Sequence, residues 1–118
     1  MSTNIYDAAY ELEKAIRQSQ EFNDLKQRFS ELNADPASKS MFENFRNVQM
    51  TIQQKQMAGQ DISQEEIQQA QKTVALVQQN QTISRLMDAE QRMSMIIGEL
   101  NKIILKPLDE TYGIPEQQ

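Results

Sequence analysis

From Ile83 to Ile104 apolar side chains return at helical spacing: Ile83, Leu86, Met93, Ile97, Leu100 and Ile104 keep a heptad rhythm. Glu90 interrupts the seam, while Met87, Ile96 and Ile103 widen the arc on both flanks. At about 100° per residue the arc covers roughly half of a helix. A helix this apolar needs neighbours on more than one side, so this stretch constrains the fold more than any other. The spacing predicts a helix over 82–106, with Lys106-Pro107 as its end, because proline disfavours helix at the residue before it. The remaining tail, 107–118, reads as loose.

The rest of the chain is punctuated for helices too. The stretch QQKQMAGQDISQEEIQQAQ resembles low-complexity filler until its signals are read in order. Gly59 suits the left-handed position that closes a helix. Ser63 and Glu66 form an S-x-x-E capping box, with Ile62 and Ile67 placed as a hydrophobic staple. Asn4 caps a first helix, over 4–18, with Ile5, Ala9, Leu12 and Ile16 on one stripe. Ser19 caps a second over 20–33, with Phe22, Leu25, Phe29 and Leu32 inward. Asp35 before Pro36 starts a third over 36–58, carrying Met41, Phe42, Phe45, Val48 and Ile52. A fourth over 64–79 carries Ile67, Ala70, Val74 and Val77. The run Thr73–Val77 is strand-like in composition but lies in a helix-periodic window without turn signals.

These elements predict an all-α fold: one domain of 118 residues, an elongated antiparallel helical bundle of about five helices. Its two long helices, the third and fifth, are expected to pair in a thin hairpin. Such a hairpin leaves apolar surface uncovered, and a second chain is the simplest cover. A homodimer or higher homo-oligomer is therefore expected.

Chemistry is sparse. The sequence holds no cysteine and no histidine, which removes disulfides, thiolate chemistry and the usual general base near neutral pH. Carboxylate-bridged metal sites in bundles draw on Glu-x-x-His elements, absent here. Glu65 and Glu66, Glu11 and Glu13, and Asp109 and Glu110 are close in sequence, but helical residues one or two apart point in different directions. Three glycines, at 59, 98 and 113, form no phosphate-cradling loop. No catalytic residue, metal ligand or cofactor is expected, and no enzymatic activity. Glu90, set on the apolar arc, calls for a partner such as Arg46 or Arg85. Net charge is −5 with the two signs mixed, so no Lys/Arg cluster exists to neutralise phosphates, and direct nucleic-acid binding is not expected. MSTNIYDAAYELEK has neither a basic start nor an unbroken apolar run, and no segment approaches the roughly 20 apolar residues of a membrane span. A cytoplasmic, membrane-free protein follows.

Binding is the remaining class. Met41, Met87 and Met93 fit the core as gap-fillers. Met50 and Met57 fall on the flank of the third helix, Leu76 lies off the stripe of the fourth, and Met95 projects from the polar face of the fifth. Together these four make a candidate surface for a protein partner.

The runs FENFR (42–46), QKQMAG (54–59) and AEQRMS (89–94) resemble the YheA group of the YlbF/YmcA-like family, small helical proteins of Gram-positive bacteria, over nearly the whole chain. The resemblance implies a self-associating helical protein in a branch with no assigned activity. Better-studied relatives act in a complex that influences sporulation, competence and biofilm formation, through phosphorelay control and ribonuclease-dependent RNA processing. In that complex cysteines hold iron–sulfur clusters; lacking cysteine, this chain has no means to hold one.

Overall fold

A computed structural model describes residues 4–113. These form α1 (Ile5–Gln18), α2 (Gln20–Asn33), α3 (Pro36–Met57), α4 (Gln64–Gln79) and α5 (Gln81–Tyr112), with no strand among the described residues. The first four helices start at the caps read from the sequence, and α5 starts at Gln81 behind Asn80, a cap that was not read. The Asn4 side chain accepts from the N–H of Tyr6 at 2.9 Å, and Ser19 Oγ accepts from the N–H of Phe22 at 3.2 Å. Asp35 receives the N–H of Ser38 with Pro36 in the first turn, and Ser63 and Glu66 close a reciprocal capping box. Gly59 adopts φ 70°. Its N–H donates to the Gln56 carbonyl and that of Gln60 donates to Lys55, the doubled closure of a Schellman motif.

The end of α5 differs from expectation. Pro107 lies inside the helix, which continues to Tyr112. A proline forfeits one backbone bond and crowds the carbonyl four residues back, but only one further turn and a half depends on it. The actual stop is Gly113, at φ 69°, whose N–H donates to the carbonyls of Asp109 and Glu110. Thr111 Oγ1 also donates to the Pro107 carbonyl at 2.8 Å. The expected loose tail is thus helical through 112; residues 114–118 lie outside the described residues.

Pairing also departs from the long hairpin of α3 with α5. The most extensive partners are α2 with α5 and α3 with α4. The turn after Met57 folds α4 back along α3, so the hairpin is α3–α4, while α2 runs antiparallel to the first half of α5, Asp24 pairing with Arg92. The two pairs join at a small core: Leu32 from α2, Phe42 and Phe45 from α3, Val77 from α4, and Ile83 and Leu86 from α5. Helix α1 contributes no buried residue and packs only on α2.

The result is elongated, 59 × 38 × 23 Å, with a radius of gyration of 19.1 Å; a compact domain of this length has about 13.5 Å. The accessible surface is 9596 Å², against about 6,600 Å² for a compact protein of the same mass.

Candidate interaction surfaces

The seam of α5 is covered along only half its length. Ile83 and Leu86 are fully enclosed and Met93 is 9% exposed, beneath α2, α3 and α4. The same stripe then continues past the reach of α2, which begins at Gln20. There Ile97, Ile104 and Leu108 are exposed, Ile104 by 58%, with Ile103 and Leu105 beside them. Among the described residues no neighbouring helix covers these apolar side chains. Helix α1 has a matching deficit. Ile5 is 79% exposed, Tyr6 and Tyr10 nearly as much, and Ala9, Leu12, Ile16 and Phe22 line a shallow groove of about 310 Å³ at the α1–α2 elbow. That elbow is fixed by Ser19, whose extended backbone ends one helix and whose hydroxyl caps the next.

The four residues singled out from sequence are all exposed: Met50 56%, Met57 82%, Leu76 42% and Met95 61%. Met50 and Met57 share the outer face of α3, two turns or roughly 10 Å apart. Leu76 and Met95 stand on α4 and α5. A larger apolar groove, about 570 Å³ and lined by Leu25, Lys26, Phe29, Arg46 and Glu90, was not visible from any single helix. Phe29, expected inward on the α2 stripe, is instead 46% exposed in this groove.

Several polar side chains tie the helices together. Arg46 donates to Glu90 Oε2 at 3.0 Å and lies 4.7 Å from the Phe42 ring centroid, so Arg46 rather than Arg85 answers the charge on the seam. Glu90 Oε1 is buried without a hydrogen-bond donor. Asn80 caps α5 through the N–H of Ile83 and donates its amide to Ser38 Oγ at 2.9 Å; Ser38 in turn donates to Asp35 at 2.6 Å. Hydrogen bonds from Ser38, side chain and then backbone, lower the Asp35 pKa. Lys55 pairs with Glu66 at 2.6 Å and, with the Ser63 backbone and hydroxyl, lowers the Glu66 carboxyl to about 2. A charged groove between α2 and α5 mixes Asp24, Asp88, Arg28, Arg85 and Arg92, with Asp24 bridging Arg28 and Arg92. Among the described residues no helix is long and apolar enough to cross a membrane, and no three potential ligands are grouped to hold a metal ion.

Together these features define an elongated all-helical protein whose unassigned chemistry lies in uncovered apolar faces. The profile of the family described as "Control of competence regulator ComK, YlbF/YmcA" matches residues 5–109, and the chain belongs to that family. It is similar to the UPF0342 protein YheA of Bacillus subtilis, 66% identical over 98% of this chain and 99% of that one. A UPF0342 protein of Bacillus pumilus is 64% identical over 99% of both. Among solved structures, yheA from Bacillus subtilis superposes with a TM-score of 0.72 at 56% identity, over 93% of this chain and all of that one. A protein of unknown function (DUF964) from Bacillus stearothermophilus gives 0.81 at 42% identity, over 92% and 95%.

Proposed function

We propose that this chain is a non-enzymatic, cytoplasmic interaction scaffold that works as a homodimer or higher homo-oligomer. The observation that carries this reading is the apolar arc of α5, whose buried residues end at Met93 and whose Ile97, Ile103, Ile104 and Leu108 are exposed beyond it. Removing apolar surface from water yields about 25 cal/mol per Å², and the surface exceeds that of a compact protein by about 3,000 Å². A stable homodimer needs roughly 800 Å² from each partner. Sedimentation velocity at micromolar concentration is expected to show a dimer or larger species. A species with the mass of one chain, at every concentration tested, would reject the scaffold.

A second reading makes the protein a regulatory subunit of a larger complex acting in phosphorelay signalling or RNA processing. It is favoured by the family's description as a control of a competence regulator and by the exposure of Met50, Met57, Leu76 and Met95. Affinity capture from native lysate is expected to retain a partner that Met50→Glu with Met95→Glu loses. Recovery of the chain alone would remove this reading.

A further inference from the structure

We infer that α1 of one chain packs on the bare second half of α5 of another, so that two copies cover each other reciprocally. The inference rests on the self-association proposed above and assigns its surfaces.

Three observations carry it. Of the five described helices only α1 is without a buried residue, and α5 has none beyond Met93, where Ile97, Ile103, Ile104, Leu105 and Leu108 are exposed. Their lengths agree: α1 spans roughly 21 Å, and α5 from Ile97 to Tyr112 roughly 24 Å. They are held apart within one chain, because the capped break at Ser19 directs α1 and no contact joins it to α5.

The area agrees as well. In a two-fold dimer the contact occurs twice, since each chain supplies one α1 and one α5. A standard interface of about 800 Å² per partner uses about a quarter of the excess surface. A different protein would have to match two separate faces on two helices; a second copy already carries both complements in equal number. Packing of Ile5, Leu12 and Ile16 against Ile97, Ile104 and Leu108 also continues the seam that α2 covers over the first half of α5.

The chain's lack of cysteine makes the test clean. Leu12→Cys and Ile104→Cys lie at the centres of the two faces, so they meet whichever way the helices run. Both are outside the buried core, and circular dichroism checks that each variant keeps its helix content. The two variants, with tags of different size, are co-expressed and treated with a short bis-maleimide. The expected product is the mixed-tag dimer, at least tenfold more abundant than cross-linked product from either variant alone. Equal cross-linking of Ile104→Cys with itself would replace the inference with an α5–α5 contact. No cross-link in a sample that sediments as a dimer would overturn the inference and leave self-association standing; a monomer by sedimentation would overturn both. Independently, Ile104→Glu with Leu108→Glu is expected to weaken dimerisation at least tenfold at unchanged helix content, and an unchanged dissociation constant would overturn the inference.

Discussion

Ser38 is 2% exposed, and its hydroxyl is the hinge of a short chain of hydrogen bonds. It accepts from the Asn80 amide and donates to Asp35, so one oxygen ties the first turn of α3 to the first turn of α5. Ser38→Ala leaves the Asn80 donor and the Asp35 acceptor without that partner, and an unmade buried hydrogen bond costs about 1–3 kcal/mol. The expected result is a lowered urea midpoint with an unchanged slope, together with unchanged helix boundaries. Half of this arrangement was legible in the sequence. Asp35 before Pro36 is a local signal, read without knowing the fold. The tie to Asn80 spans 42 positions, and no local pattern encodes it. The same holds for Glu90: its place on the seam called for a cation, but the choice of Arg46 over Arg85 depends on how α3 lies beside α5.

At the scale of elements, the turn from α3 to α4 is the most fully specified part of the chain. A left-handed glycine, a Schellman closure, a capping box and the Lys55–Glu66 pair all act within a dozen residues. The pair gives the turn a pH dependence. The folded Glu66 carboxyl sits at about 2, below its ordinary 4.5, so its contribution is complete above pH 4.5 and is lost as pH falls through 2. Lys55→Met removes the largest cause of that shift. Its melting temperature should lie below that of the parent at neutral pH, and the gap should narrow as pH falls from 4.5 to 2. A constant gap would assign the loss to packing instead. The first four helix starts were readable because each cap is a contact between residues two or three apart. The end of α5 was misread because two local signals competed: Pro107 weakens one turn, whereas Gly113 supplies the left-handed residue that closes it. Partner choice between helices was not readable at all. Stripes on α2, α3 and α4 announce that each needs cover, but their periodicity does not encode which neighbour supplies it.

For the whole molecule, shape decides more than composition. A radius of gyration of 19.1 Å in so short a chain means that much of it lies near the surface, and the core of six residues anchors only the region where the helix pairs meet. The sedimentation experiment belongs to this scale: association should lower the frictional ratio, because helices that project from one chain lie along another. Local opening is cheapest where buried contacts are fewest, and the last four turns of α5, like α1, hold no buried residue. A dilute chain holds that rod end against water alone, and transient unwinding offers a protease the peptide bond after Lys102. Trypsin is therefore expected to nick the chain there quickly at nanomolar concentration and slowly at micromolar, where occupancy by a second copy suppresses the open form. Were a second copy to cover that rod end as proposed, copy number would set lifetime: scarce chains would be cleared sooner than abundant ones.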